Sequence, residues 1–251
     1  MIPKIIHYCW LSGEPIPSEL EKYMSSWREK LPDYEFVLWN FDRFDINSSA
    51  WVKEAFECKK YAFAADYIRL YALYTMGGIY LDMDVEILKS FNDLLNRDYF
   101  ICYENSDKEI PEMAIVGTSP KCKWVECALA HYTDRHFVKS DGTYDTKTLP
   151  MVVKDVLMEN GILLKPATTQ AQFDDSYLNI LPFDYFSPKS YSDNFIYKSD
   201  RTYAIHHFAG SWVPWIQRLE HKVWMALGLT PHRVVWHIDN WFRMKWYQIS
   251  K

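Results

Sequence analysis

The chain has no long apolar run. Across its 251 residues nothing approaches the ~18 consecutive apolar positions that a membrane-spanning helix needs. Its opening, Met1-Ile2-Pro3-Lys4-Ile5-Ile6-His7, lacks the basic-then-apolar layout of a secretory leader. Cysteine is sparse and unpaired in pattern. Cys9, Cys58, Cys102, Cys122 and Cys127 are odd in number and form no C-x-x-C, which argues against a disulfide framework and against a zinc site. They read as free thiols in a reducing compartment, and a cytoplasmic location is expected. Positive charge is not in excess either: the formal net charge of -5 gives no case for a nucleic-acid partner. Internal repeats and low-complexity linkers are missing, so the length fits one large domain, or one domain with a small appendage.

Aromatic residues, by contrast, are plentiful. They make up 17% of the chain within a 49% apolar total, including 11 Trp and 18 Tyr, which excludes disorder. Most must pack in a core, but flat amphipathic side chains also suit a protein that handles bases or sugar rings.

Strand and helix signals alternate along the sequence. Lys4 to Trp10 is a β-branched and aromatic run that reads as a first central strand, and Tyr34 to Trp39 reads as a second. Between them Ser18, with Glu21 three residues on, resembles a capping box opening a helix to about Lys30. A short helix is expected over Ser48 to Cys58. The clearest helix runs from Tyr61 to Met76, where Ala62, Ala65, Ile68, Ala72 and Met76 keep helical spacing and Gly77-Gly78 stops it. Further helices are expected from Pro120 to Thr133 and from Thr146 to Asn160, and further strands at Tyr99–Glu104, Leu178–Leu181 and Thr202–Phe208. This alternation predicts an α/β fold with a mostly parallel sheet, whose ligands bind at the carboxyl ends of the strands.

At such an end stands Gly77-Gly78-Ile79-Tyr80-Leu81-Asp82-Met83-Asp84. Asp82 and Asp84 share a strand parity, so extended backbone would point both carboxylates to one side. Two hard oxygen ligands can hold Mg2+ or Mn2+, with diphosphate oxygens and water completing the shell. The alternative is a solvated strand-end turn, since a bare D-x-D is common. In the preceding helix Asp66 and Arg69 are three apart and share a face. Taken alone they would be an ordinary ion pair.

From Pro214 to Lys251 the composition changes. Arg218, Lys222, Arg233, Arg243, Lys245 and Lys251 stand against Glu220 and Asp239, a net of +4, with Trp236, Trp241, Phe242, Trp246 and Tyr247 between them. This C-terminal stretch, 216–251, reads either as a helical extension packed on the core or as a helix lying on an anionic membrane surface.

The run Ala62-Phe63-Ala64-Ala65-Asp66-Tyr67-Ile68-Arg69-Leu70-Tyr71-Ala72-Leu73-Tyr74, continued through Gly77 to Asp84, resembles the sugar-binding D-x-D region of glycosyltransferase family 32. That family includes capsular polysaccharide transferases, and its catalytic core is similar to that of clostridial glucosylating toxins. Ile2 to Trp10 looks like the family's first strand, and Tyr203 to Trp212 looks like its closing motif, so the resemblance spans about residues 1–215. One departure is Thr148-Leu149-Pro150, where many relatives carry Thr-Gly-Pro, and it bears on the acceptor-side loop.

The resemblance implies a GT-A (Rossmann-like) domain, a divalent cation, a nucleotide-sugar donor and retention of anomeric configuration. It implies Asp84 as direct metal ligand and His207 as a further one, with Asp82 on metal or sugar and His206 turned away. An imidazole ligand would favour Mn2+ over Mg2+. Asp66 and Arg69 resemble the pair that contacts donor-sugar hydroxyls and phosphate. Trp10 resembles a base-stacking residue, and Tyr80 would lie near the donor. Gly210, Ser211 and Trp212 would close over the diphosphate. A covalent route would need a carboxylate beneath the sugar ring, for which Glu104 and Asp174 are conceivable. The expected donor is a UDP-sugar or GDP-mannose, and the acceptor a glycan or lipid-linked oligosaccharide of capsular or surface polysaccharide synthesis. A catalytically silent nucleotide-sugar-binding subunit and a nucleotide-sugar hydrolase are the other readings.

Overall fold

A computed structural model describes residues 1–105, 110–167, 176–190 and 195–209. Gly210, Ser211, Trp212, Asp174 and the C-terminal stretch, with its boundary near residue 215, lie outside the described residues. The strands are β1 (Ile5–Cys9), β2 (Glu35–Trp39), β3 (Gly78–Leu81), β4 (Val85–Ile87), β5 (Tyr99–Phe100), β6 (Ile115–Thr118), β7 (Leu163–Pro166), β8 (Tyr177–Ile180) and β9 (Ala204–His206). The helices are α1 (Ser18–Lys30), α2 (Ala50–Glu57), α3 (Tyr61–Met76), α4 (Lys123–Ala130) and α5 (Leu149–Glu159).

Five strands form the central sheet in the order β2-β1-β3-β6-β5. β1 pairs in parallel with both β2 and β3, β6 runs antiparallel to β3, and β5 runs antiparallel to β6. Only β6 is therefore reversed. This is the mostly parallel, Rossmann-like α/β arrangement expected of a GT-A domain. Two small pairs, β4-β9 and β7-β8, complete the strands of the described residues.

Alternation along the central strands divides the core between the two faces of the sheet. Tyr80, Val116 and Val37 join Ile68, Leu73 and Trp51 on the face covered by α2 and α3. Ile6, Ile79, Leu81 and Ile115 join Met24 and Trp27 of α1 on the other. With both faces of β3 covered, each of its four residues is buried. The strand's only way out is its carboxyl end.

Glycine sets the approach to that end. Gly77 caps α3 at φ 66°, donating its N–H to the Leu73 carbonyl. Gly78 follows at φ 101°, where an added Cβ would stand 2.7 Å from the Ile5 carbonyl oxygen. No other residue lets the chain turn from helix into sheet so closely against β1.

Two local expectations are corrected. Helix α1 forms, but its N-cap is Pro17 rather than Ser18, and no side chain caps it. Leu20 and Glu21 donate their backbone N–H groups to the Pro17 carbonyl, so Ser18 already sits inside the first turn. The second correction concerns the two aspartates. β3 ends at Leu81, and Asp82-Met83-Asp84 forms a turn closed by Val85 N–H donating to the Asp82 carbonyl at 3.1 Å. The carboxylates meet because the chain turns, not because they share a strand parity.

Candidate active site

The turn lies at the carboxyl end of β3, beside the β4-β9 pair. Asp82, Asp84 and His206 each place a ligand atom within 4.8 Å of the other two. Two carboxylates and one imidazole form a donor set that fits Mn2+ well and Mg2+ acceptably.

Asp82 is held from behind by α3. Arg69 Nη2 donates to Asp82 Oδ1 at 2.9 Å and stands 3.5 Å from Asp66 Oδ1, so Asp66 and Arg69 do share a face as expected. Arg69 Nη1 donates to the Met113 carbonyl, and the guanidinium lies over the Tyr80 ring at 4.3 Å. Arg69 is only 6% exposed, and its Nε is buried with no partner. Its bonded donors are committed to protein oxygens, so here it positions Asp82 and does not present an open fork to a phosphate.

Burial drives the protonation states in opposite directions according to what each group touches. Asp66 is pushed up to about 7 by burial, against the pull of Arg69 and with the push of Asp82. Asp82 is also raised by burial, against Arg69 and with Asp84 adding to the rise. For Asp84 burial would act the same way, but His206 and the Ala209 N–H, donating to Oδ2 at 2.6 Å, bring it to about 2. One carboxylate of the pair is thus firmly ionised at neutral pH.

The two adjacent histidines do not occupy the places assigned to them. His206 ends β9, with Val85 as its register partner. Its Nε2 stands 3.5 Å from Asp84 Oδ2, and its Nδ1 is 3.1 Å from Glu112 Oε2. Burial would lower His206, but Glu112 and Asp84 raise it well above the usual histidine value. His207 takes the other side of the strand end. Its N–H donates to the Asp84 carbonyl, its Nε2 lies 2.9 Å from Glu86 Oε2, and its ring stacks on Tyr23 at 4.3 Å. The histidine that joins the carboxylates is His206, the last residue of β9, which ends two residues before the expected Phe208 and leaves His207 past the strand end, facing the other way.

Two other expectations can be placed, and one residue of the site is new. Tyr80 is 2% exposed beneath Arg69, on the core face of β3, and so does not reach the site opening expected of a donor contact. Trp10 follows β1, half-buried, with its indole N–H donating to the Glu14 carbonyl at 2.6 Å. It remains near the strand ends but is packed against the face that holds α1. Glu112 was not anticipated. It is 3% exposed, and nothing in a lone glutamate before an apolar run marks it as part of a site.

Residues 17–101 match the pattern described as "Glycosyltransferase sugar-binding region containing DXD motif". The matched segment contains Asp66, Arg69, Asp82 and Asp84. The chain is 38% identical over 106 residues to an uncharacterized glycosyltransferase of Acanthamoeba polyphaga mimivirus, covering 40% of this chain and 42% of that protein. It is 36% identical over 99 residues to inositol phosphoceramide mannosyltransferase 3 of Schizosaccharomyces pombe, covering 38% and 28%. Each match spans less than half of the relative's length. Among solved structures the galactosyltransferase LgtC, in complex with donor and acceptor sugar analogues, aligns over 82% of this chain and 88% of its own, at 12% identity and a TM-score of 0.47.

Proposed function

We propose that this protein is a metal-dependent retaining glycosyltransferase that moves a sugar, most simply from a UDP-hexose, to a saccharide acceptor in capsular or surface polysaccharide synthesis. The observation that supports it best is the convergence of Asp82, Asp84 and His206 within 4.8 Å at the end of a strand whose sequence matches a sugar-binding region. A divalent cation bound by these three would supply charge stabilisation to a departing nucleoside diphosphate.

The protein's own groups have distinct tasks on this reading. Asp84, ionised throughout the neutral range, is the permanent anionic ligand. Arg69 holds Asp82 in place through a 2.9 Å bond while remaining shielded from water, which keeps the carboxylate aimed without reorganisation during reaction. Asp66, with its raised affinity for protons, would hydrogen-bond a sugar hydroxyl either as donor or as acceptor. Retention is read as front-face attack by the acceptor hydroxyl from the side of the leaving group.

The name of the fission-yeast relative, an inositol phosphoceramide mannosyltransferase, supports a mannose donor as the alternative and a lipid as an acceptor class. A site of action on the inner face of the cell membrane goes with that reading, supported by the basic aromatic sequence of 214–251. No described helix is long and apolar enough to cross a membrane.

The test is to incubate the full chain with a panel of UDP- and GDP-sugars, with and without Mn2+, and to measure nucleoside diphosphate release. Mn2+-dependent release from one donor, rising on addition of a lipid-linked acceptor, is the expected result. Binding without release, with acceptor present, would instead favour a silent subunit, and release unaffected by any acceptor would favour a hydrolase.

A further inference from the structure

The glutamate that the sequence did not flag is the most constrained group beside the site. Glu112 is 3% exposed, yet both of its carboxylate oxygens are engaged. Oε1 accepts the Ala114 N–H at 2.8 Å, and Oε2 faces His206 Nδ1 at 3.1 Å. Its backbone is fixed as well, the Glu112 N–H donating to the Cys102 carbonyl at 2.8 Å. The same segment touches the aspartate turn, because Asp82 N–H donates to the Ala114 carbonyl at 2.9 Å.

A carboxylate accepts hydrogen bonds and, when ionised, donates none, so the His206 nitrogen that faces it must carry the proton. That assigns Nδ1 as an N–H; Nε2 is the nitrogen turned toward Asp84, 3.5 Å away, and its proton is the one a cation would displace. The ring is also fixed from outside. Phe208 packs against it at 4.1 Å, and the His206 backbone N–H donates to the Phe186 carbonyl at 3.2 Å. An imidazole held at Nδ1 by a buried carboxylate, with Nε2 directed at the aspartates, is oriented for a cation.

We propose that Glu112 is a positioning residue for the cation: it fixes the tautomer and direction of His206, so that Nε2 completes the set begun by Asp82 and Asp84. The proposal rests on the reading of those three residues as a metal site. It assigns no contact between Glu112 and the sugar donor.

The test uses the full chain and Mn2+ alone, counting free Mn2+ by its electron paramagnetic resonance signal, so no donor or acceptor is needed. Glu112→Gln keeps the size of the side chain and an oxygen for Nδ1–H but removes the charge. It should weaken Mn2+ binding by about 10-fold, and Glu112→Ala by up to about 100-fold, the range for groups that orient a metal-bound histidine. In a His206→Gln background the same Glu112→Gln change should alter Mn2+ affinity by less than about twofold, since the residue it acts through is gone. Equal losses with and without His206 would mean that Glu112 only supports the local fold, and would overturn the proposal. Should Glu112→Ala fail to fold, the Glu112→Gln pair still decides. Asp84→Asn separates the two levels of the argument. If it abolishes Mn2+ binding while Glu112→Gln does not weaken it, the inference about Glu112 alone fails. If wild type itself binds no Mn2+, both the metal site and the inference built on it fall.

Discussion

Two histidines, His7 buried in the middle of the central sheet and His206 half-buried at the end of the small β4-β9 pair, meet opposite fates. His7 on β1 is fully buried, with Nδ1 accepting the Trp39 indole N–H at 3.0 Å and Nε2 donating to the Gly77 carbonyl at 2.7 Å. One donor and one acceptor define a neutral ring. Burial, opposed by the Gly77 bond and assisted by Arg43, pulls it down to about 4. His206 packs against two carboxylates and is raised well above the ordinary value. Burial disfavours charge at both places, but only His206 has partners that outweigh it. A neutral histidine between fixed partners holds two strands and a helix end together. One between carboxylates holds a proton in the place a cation would take, and a cation bound by the aspartates would displace it from Nε2.

The largest effect that would break this contrast is at the edge. Asp84→Asn removes the one carboxylate held ionised at about 2, and with it the charge that both His206 and a cation face. Nucleoside diphosphate release in the presence of Mn2+ should drop by more than about 1,000-fold, the loss of several kcal/mol of charge stabilisation. A variant retaining a tenth of the activity would show that the aspartate pair is not the centre of the chemistry.

Breaking the centre should act on stability instead. At Gly78 an added Cβ would lie 2.7 Å from the Ile5 carbonyl oxygen and 3.0 Å from His7 Nε2, at a φ of 101°. Gly78→Ala is expected to destabilise the protein by about 3 kcal/mol, through backbone strain and displacement of β1. Urea denaturation reads this directly, and a change below about 1 kcal/mol would contradict the close approach.

A pH series on His7 refines the contrast further. Its folded value of about 4 lies below the ordinary 6.5, so between these limits the unfolded chain binds a proton that the folded chain refuses. Its contribution is therefore intact above about pH 6.5 and is lost as the pH falls through the window toward 4. The loss amounts to roughly 3 kcal/mol over the full window. His7→Gln should flatten the fall in unfolding free energy across that range, whatever it does to stability at neutral pH. Parallel curves for the two proteins would mean that His7 does not titrate with folding.

The sequence made parts of this arrangement legible and hid others for physical reasons. Helix α3 was readable to its last residue because the apolar period is regular and Gly77-Gly78 interrupts it. The strand that follows was equally plain, and so was the pair of aspartates just beyond its end. What surrounds them depends on pairing across long separations, which no local pattern carries. β6 is a four-residue buried run that inserts between β3 and β5, and Glu112 enters the site only because that insertion occurs. β4 has three residues, too few to show a period, yet its register with β9 decides which histidine faces Asp84. The choice between His206 and His207 is a choice of one residue in register, and it turns every side chain on the strand to its other face.

That choice supplies the smallest prediction and the closest control. His207 pairs with Glu86, whose side chain is 38% exposed, and stacks on Tyr23 at the rim. Burial lowers its proton affinity against the pull of Glu86, a balance set by the rim and not by the aspartate pair. A partly exposed pair of this kind contributes under about 1 kcal/mol. His207→Ala should therefore change Mn2+ affinity by less than about fivefold, the equivalent of that energy. His206→Ala should lower it by at least 10-fold, as expected for loss of one of three ligands. The two variants differ by one position in the same short strand end, so a general disturbance of β9 would affect both. Titration of free Mn2+ against each protein distinguishes the cases. If His207→Ala is the more damaging of the two, the register of β9 is shifted by one residue, and the cation site would have to be rebuilt around His207 and Glu86.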